Sequence, residues 1–350
     1  MTIGISSNQV SLAPLVDNKE YYSFGVVGIQ ATESFDMEVF DVSMLEFLAI
    51  VKKLPKKTAV VVTINQDGIL EFVGDDGFVH TIAPKPKTIG FIPSIDRVYE
   101  IEVTQKELQA ALKSVVHSIA KEDVRVYLKS VLFKIQDGIL TIISTDGHRL
   151  SIATGIDTHS SINGEYIIPS SSNEILIKSL IAFLDTKGYS SVKIILGEKF
   201  ITFNLGDTVL SGYLLDARYP DINRVIWTHK HLTTVKTKVM LDICKFILPN
   251  LGKHMSIDVQ ITDSLMTISP VKENKQNDER NARTIQTDVV GTSHYRVNCK
   301  YLKEAMEAIT ADEFTFGFNP IDENSNSDLA TGTLLIKTDA LKQLVMPMRR

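Results

Sequence analysis

The chain has 350 residues, of which 44% are hydrophobic and 23% charged, and its formal net charge is -5. This composition excludes wholesale disorder, and a chain of this length is expected to form two or three domains, each with its own hydrophobic core. No apolar run approaches the ~20 residues of a membrane-spanning helix, and residues 1–12 lack the pattern of a secretory signal, so we expect a soluble cytoplasmic protein that does not bind membranes.

Amphipathic helices recur along the chain at a nearly constant interval. Five segments have apolar residues at helical spacing, and their starts repeat with a period of roughly 60 residues. The predicted helices begin near Val42, Val103, Pro169, Lys236 and Val297. Three residues stand where a helix N-cap is expected and can accept hydrogen bonds from the first backbone N–H groups: Thr104, Ser170 and Asn298.

Short β-type runs separated by turn residues lie between the predicted helices. The pairs Asp67-Gly68 and Asp137-Gly138 predict tight hairpins, because glycine accepts the positive φ that such turns require. The polar segment Lys272–Thr287 predicts a long hairpin loop. Each unit of roughly 60 residues therefore combines one helix with several antiparallel strands, and two units would form one α+β domain of roughly 120 residues.

The repeat also predicts where the domains divide. One interval before Val42 falls ahead of the first residue, so we expect the first domain to lack its opening helix. The predicted domains are residues 1–98, which form a shortened first domain, residues 99–228 and residues 229–350.

The two cysteines and the TDGHR segment are the candidate chemical sites of the sequence. Cys244 and Cys299 have neither CxxC nor Cys/His spacing, so neither a disulfide framework nor a zinc site is predicted. Asp146, His148 and Arg149 in the segment TDGHR admit two interpretations: a hydrolase or metal site, or a turn with a capping aspartate and a structural histidine. No second cluster of carboxylates and histidines supports the first, so we predict no catalytic residue, no metal and no cofactor.

Four stretches, in order along the chain, point to one family. They are HSIAKEDVRVYLKSVLF (His117–Phe133), STDGHRLSIAT (Ser144–Thr154), LLDARYPDINRVI (Leu214–Ile226) and LVMPMRR (Leu344–Arg350). Together they resemble the bacterial DNA polymerase III beta subunit, the sliding clamp. The resemblance covers residues 99–350, whereas the segment 1–40 matches poorly.

This resemblance implies a fold and a function. Clamps of that family have three similar domains, each with helices packed on antiparallel sheets, and two chains form a head-to-tail ring around double-stranded DNA. The resemblance therefore implies a non-enzymatic, homodimeric processivity factor for DNA replication, which contacts DNA without regard to sequence. Its expected protein partners are the replicative DNA polymerase, the clamp loader and repair proteins, which carry short clamp-binding motifs with a glutamine and hydrophobic anchors.

The resemblance also implies a pocket for those motifs. Leu, Val and Met side chains would form an adaptable apolar floor, while His, Arg and Asn side chains would hold the peptide backbone. The pocket residues implied by the resemblance are Tyr127, Leu128, Thr145, Gly147, His148, Arg149, Leu150, Pro220, Arg224, Val225, Asn298, Tyr301, Leu344, Val345, Met346, Pro347, Met348 and Arg349.

A net charge of -5 taken alone argues against a nucleic-acid partner, but the charge is unevenly distributed. The five helical segments hold 16 of the 37 Lys/Arg and only 9 of the 42 Asp/Glu residues. If these helices face DNA, their cations would contact phosphates weakly and in a salt-dependent manner. The predicted DNA-facing residues are Lys52, Lys53, Lys113, Lys121, Arg125, Lys178, Lys245 and Lys303. Glu122 and Val126 depart from the Gln and Tyr that such clamps place near DNA.

Two alternatives remain beside the sliding clamp. A diverged clamp paralogue would keep the pocket without closing a ring, and the shortened first domain favours this interpretation. A nuclease built on Asp146 and His148 is the other, and it would require metal-dependent cleavage of DNA.

Overall fold

The computed structural model describes residues 2–6, 9–13, 23–28, 38–54, 60–65, 67–74, 77–84, 99–170, 176–186, 188, 190–206, 208–271, 279–321 and 329–348. Within these ranges no helix is long and apolar enough to cross a membrane. The described strands are β1 (Thr2–Ser6), β2 (Gln9–Ala13), β3 (Ser23–Gly28), β4 (Glu38–Asp41), β5 (Val60–Ile64), β6 (Leu70–Gly74), β7 (Val79–Ile82), β8 (Tyr99–Thr104), β9 (Ser130–Gln136), β10 (Ile139–Thr145), β11 (Arg149–Asp157), β12 (Gly164–Pro169), β13 (Ser191–Leu196), β14 (Phe200–Asn204), β15 (Thr208–Tyr213), β16 (His231–Lys236), β17 (Ser256–Pro270), β18 (Arg283–Asn298), β19 (Glu313–Phe318), β20 (Leu334–Lys337) and β21 (Leu341–Val345).

Helices occur at all five positions that the repeat predicts. They are α1 (Met44–Val51), α2 (Gln105–Val115), α3 (Leu176–Thr186), α4 (Thr237–Ile247) and α5 (Cys299–Glu307). Two predicted N-caps are confirmed: the Thr104 side chain accepts the backbone N–H of Glu107, and that of Asn298 accepts the N–H of Lys300 at 2.9 Å. Residues 171–175, which follow Ser170, lie outside the described residues, so the N-cap at Ser170 stays a prediction.

The predicted tight hairpin turn forms at Asp137-Gly138, whereas Asp67-Gly68 lies in the longer connection between the end of β5 at Ile64 and the start of β6 at Leu70. Asp137 and Gly138 join β9 to β10 with φ values of 51° and 78°, which are the positive values that a two-residue hairpin of this type needs. The loop prediction for Lys272–Thr287 is wrong in its last part, because β18 begins at Arg283 and pairs with β17 from there. The alternation of apolar and polar residues in that part is too short to reveal a strand, and residues 272–278 lie outside the described residues.

The chain divides into two compact units. The first comprises Met1–Glu102, Glu174–Leu180 and Ser191–Leu214, and the second comprises Val103–Asn173, Ile181–Ser190 and Leu215–Arg350. The first unit contains an antiparallel sheet in the order β4-β1-β2-β3-β15-β14-β13-β8 and a second sheet in the order β5-β6-β7. A small apolar cluster that includes Val42, Ile50 and Phe72 packs α1 against β6. The three-domain boundaries at 98 and 228 stay a prediction.

The second unit positions the site described below. Its eight-stranded sheet has the order β12-β9-β10-β11-β21-β20-β19-β16, and β17 and β18 form a long separate hairpin. Strand β11 pairs with the C-terminal strand β21, so that Arg149 lies opposite Val345 and Leu150 opposite Leu344. A buried cluster that includes Met240, Tyr295, Leu302 and Phe316 joins α4 and α5 to the β17–β18 hairpin and the sheet. The pairing of β11 with β21 brings the TDGHR segment beside the end of the chain.

Candidate functional site

A cavity of about 180 Å³ opens within the second unit, at the start of β11. Its walls come from three separate parts of the chain: the turn before β9 together with the TDGHR segment, the segment after Tyr219, and the end of β21. The lining residues are Arg125, Tyr127, Leu128, Thr145, Gly147, Arg149, Leu150, Pro220, Asp221, Ile222, Val225, Leu344 and Met346. Most of these side chains are apolar, which suits a hydrophobic side chain of a peptide.

The floor of the cavity belongs to the hydrophobic core. Leu128, Leu150 and Leu344 are each at most 3% exposed, and Leu150 faces Leu344 across the β11–β21 pairing. Tyr219 lies buried beside this floor, and burial raises the pKa of its phenol. Because the floor is packed on the core, its shape is fixed before any ligand arrives.

One wall is the short turn that follows Pro220. Asp221 caps this turn, since its carboxylate accepts the backbone N–H of Asn223 at 3.1 Å. The turn holds Ile222 and Val225 against the cavity, while the side chain of Arg224 is 83% exposed and lies near Asp221. Asp221 is therefore the acidic group of the cavity lining.

Another wall is the TDGHR segment, which forms a closely hydrogen-bonded turn. The Asp146 carboxylate accepts the backbone N–H groups of His148 and Arg149 at 2.9 and 3.0 Å. The Thr145 hydroxyl donates to the Arg149 carbonyl at 2.6 Å and accepts the Gly147 N–H at 3.1 Å. Gly147 has a φ of +85°, which disfavours any other residue there. The Asp146 carboxylate thus stabilises the turn by accepting backbone N–H groups, as expected for a capping aspartate.

The Arg149 guanidinium is bound inside the protein. Its Nε donates to Asp146 at 2.9 Å, and its two terminal nitrogens donate to the Glu304 carboxylate and to the His117 carbonyl. The Tyr301 ring lies 4.4 Å from the guanidinium carbon and also stacks on His148. Arg149 therefore contributes to the cavity wall with its guanidinium directed at internal partners.

A polar cluster lies behind this arginine. Nε2 of His117 is 3.4 Å from the Ser151 hydroxyl, which in turn bonds the Ser118 hydroxyl at 2.7 Å. Burial, and secondly the charge of Arg149, lower the pKa of His117 to about 4, against an opposing hydrogen bond with Gln343. The imidazole is consequently neutral at physiological pH.

Arg125 lies at the cavity, although we predicted that it faces DNA. Its guanidinium forms two hydrogen bonds of 2.9 Å with the Asp123 carboxylate, and these bonds lower the pKa of Asp123 to about 2. A Cβ atom on Gly147 would lie 3.6 Å from Nη2 of Arg125, so the guanidinium covers this turn.

Met346 and Met348, near the C-terminus, contact different parts of the protein. The Met346 N–H donates to the His148 carbonyl at 2.8 Å, and its side chain lines the cavity. The Met348 N–H donates to the Arg296 carbonyl at 2.7 Å, and its sulfur lies 3.5 Å from the Ser256 hydroxyl. The two methionines of the VMPMR motif therefore have different environments.

The structure brings many of the predicted pocket residues together but not all. Those that line the cavity are Tyr127, Leu128, Thr145, Gly147, Arg149, Leu150, Pro220, Val225, Leu344 and Met346. Those outside its lining are His148, Arg224, Asn298, Tyr301, Val345, Pro347 and Met348, while Arg349 lies outside the described residues. Sequence reasoning missed Asp221 and Ile222, although their position between Pro220 and Val225 was an available signal.

The cations predicted to face DNA differ in their surroundings. Lys52, Lys53, Lys121, Lys178 and Lys245 are exposed. Lys113 pairs with Asp185, and Lys303 lies 2.7 Å from Glu307 on the same helix. Lys52 and Lys53 follow the end of α1, and the exposed side chains of that helix include the apolar Leu45 and Leu48.

Comparisons with known proteins point to one family. Residues 102–221 match the family model of the DNA polymerase III beta subunit, central domain. The beta sliding clamp of Proteus mirabilis is 28% identical over 201 residues, which is 57% of this chain and 53% of the relative. That of Vibrio cholerae is 23% identical over 321 residues, which is 90% of this chain and 83% of the relative. This chain thus spans about half the length of the first of these relatives and most of the second.

Solved structures establish the fold. The DNA polymerase III subunit beta from Pseudomonas aeruginosa superimposes with a TM-score of 0.82 at 20% identity, covering 100% of this chain and 91% of that chain. The beta subunit from Thermotoga maritima superimposes with a TM-score of 0.83 at 16% identity, covering 100% and 90%. The predicted α+β clamp fold is confirmed.

Proposed function

We propose that this chain, a member of the bacterial DNA polymerase III beta subunit family, works as a DNA sliding clamp in the cytoplasm. It would encircle duplex DNA as a homodimer, tether the replicative polymerase, and bind the clamp loader and repair proteins through one pocket. The proposal includes no chemical reaction at the TDGHR turn, whose carboxylate and guanidinium are bound to each other and to the backbone.

The cavity is the single observation on which this proposal rests. Three chain segments that are far apart in the sequence meet around an apolar floor that is already packed on the core. Such a preformed apolar cavity with a few polar groups at its rim suits a short linear motif with one or two hydrophobic anchors. Tyr127 and Asp221 are the lining residues best suited to hydrogen-bond a polar side chain of that motif, such as glutamine, because the Thr145 hydroxyl already bonds within its own turn.

Duplex DNA is proposed as the second partner on the basis of charge. Exposed lysines on the helices, including Lys178 and Lys245, provide positive charges that can contact phosphates. Such contacts do not recognise particular bases. Contacts of this kind neutralise phosphates, so their strength falls steeply with salt, and a protein held by them can slide.

Association of two copies is supported by exposed apolar side chains in the first unit. Phe78 is 68% exposed and Val79 56%, at the β7 edge of the three-stranded sheet. Large exposed apolar side chains at a sheet edge favour association. Sedimentation at several concentrations should therefore show a dimer, whereas a stable monomer would favour the diverged paralogue that does not close a ring.

The two C-terminal methionines provide a matched test of the pocket. We expect Met346→Ala to weaken a fluorescent peptide with a glutamine and two leucine anchors by at least 10-fold, because its side chain lines the cavity. Met348→Ala removes the same atoms beside Ser256 and should change the affinity by less than 3-fold. Fluorescence anisotropy measures both. Equal losses in the two variants, or no peptide binding by the natural chain, would contradict the assignment of the pocket.

A further inference from the structure

We propose that Glu304, on helix α5, is a positioning residue for the pocket and acts on it through Arg149. The proposal rests on the function proposed above and adds a residue that does not line the cavity. If it holds, the affinity for a partner peptide is set partly by a carboxylate on a helix outside the binding surface.

The guanidinium of Arg149 is occupied by partners within the protein. All three of its nitrogens already donate within the protein, to Asp146, Glu304 and the His117 carbonyl, and the side chain is 8% exposed. A guanidinium whose nitrogens are bound in this manner has little capacity left to hydrogen-bond a peptide. Its role at the cavity is therefore to hold the wall in place.

Arg149 is linked by hydrogen bonds to two parts of the cavity wall. Its backbone N–H and its Nε both bond the Asp146 carboxylate, which also accepts the N–H of His148. The His148 carbonyl accepts the N–H of Met346, whose side chain lines the cavity. A shift of the guanidinium would therefore move both the turn and the C-terminal segment.

Glu304 contacts Arg149 from helix α5. Its carboxylate accepts from the guanidinium, on which the ring of Tyr301 from the same helix also packs. Glu304 is 23% exposed, and its other carboxylate oxygen lies 3.9 Å from Lys300 on the same helix. Loss of this carboxylate leaves a largely buried cation with one partner fewer, so the guanidinium is expected to seek another acceptor or water.

The test compares three variants on helix α5 by peptide anisotropy and by thermal unfolding. We expect Glu304→Ala to weaken the peptide about 10-fold at a temperature where the variant is folded. The peptide affinity of Glu304→Gln should fall by about 3-fold, because a neutral amide oxygen still accepts a hydrogen bond from Arg149, although a weaker one. Glu307→Ala is the matched control, since Glu307 lies on the same helix and pairs only with Lys303 among the described ion pairs. Its affinity should stay within 2-fold of the natural chain.

Two results would overturn the proposal. One is an affinity within 2-fold for Glu304→Ala, with or without a lower melting temperature, because a purely structural role changes stability and leaves the folded pocket intact. The other is an equal loss for Glu307→Ala, which would indicate a general effect of charge on α5. If Glu304→Ala does not fold, unchanged affinity in Glu304→Gln overturns it. Absence of peptide binding by the natural chain would instead contradict the pocket itself. If the natural chain binds the peptide and Met346→Ala loses that binding, the pocket stands, and the Glu304 variants then test the positioning role alone.

Discussion

Replacing His117 by glutamine should change how stability depends on pH. The pKa of His117 is lowered from 6.5 to about 4 in the folded protein, chiefly by burial. The unfolded chain therefore binds a proton on this residue at a higher pH than the folded protein does. The stability that the neutral imidazole provides is fully present above pH 6.5 and is lost as the pH falls from there toward 4.

The size of the effect follows from the same two pKa values. A difference of about 2.5 units corresponds to about 3 kcal/mol of unfolding free energy between pH 7 and pH 4. Glutamine does not titrate, and it can still bond the Ser151 hydroxyl. The natural chain should therefore lose about 3 kcal/mol more than His117→Gln over this interval.

Urea unfolding at pH 7, 5.5 and 4 measures this difference. Groups that titrate equally in both proteins cancel in the comparison, so the difference between them isolates His117. His159→Gln is the control for loss of an imidazole, since its side chain is 73% exposed and its nearby carboxylate contributes little. A difference between the natural chain and His117→Gln that is the same at pH 7 and pH 4, to within about 0.5 kcal/mol, would refute the argument from burial.

Two further substitutions separate the pocket from its surroundings. Gly147→Ala forces a φ of +85° on alanine beside Arg125, so we expect the unfolding free energy to fall by about 1 kcal/mol and peptide binding to weaken. Gly155→Ala is the control, because Gly155 has a φ of +93° with nothing within 4 Å of the added Cβ. It should lower the unfolding free energy without changing the peptide affinity. Asn298→Ala removes the N-cap of α5 and should lower the unfolding free energy by about 1 kcal/mol with unchanged peptide affinity. Urea unfolding and anisotropy measure all three variants, and a peptide defect in Asn298→Ala would return this residue to the pocket.

Local patterns predicted local structure well. Helical spacing located all five helices, and the side chains of Thr104 and Asn298 cap two of them as expected. The Asp137-Gly138 pair forms the predicted turn because its positive φ values are a property of two adjacent residues. These features depend on a few neighbouring positions, which a single sequence displays directly.

The composition of the pocket depends on distant contacts and was predicted less completely. Leu150 meets Leu344 through the pairing of two strands that lie far apart in the sequence, and only the family resemblance could indicate it. Whether the Arg149 guanidinium is available to a ligand depends on Glu304, which no local pattern connects to it. Met348 was assigned to the pocket because it shares a motif with Met346, yet its N–H bonds Arg296.

The pocket and the ring are independent questions in this chain. Every residue that lines the cavity belongs to the second unit, so peptide binding would be the same in a ring-forming clamp and in a paralogue that stays monomeric. The exposed Phe78 and Val79 belong to the first unit. Burying two such side chains would contribute about 1.5 to 3 kcal/mol each, which is a useful part of a dimer interface but not a whole one. Substitutions of these two side chains therefore test the proposed dimer, while peptide binding by the second unit tests the pocket.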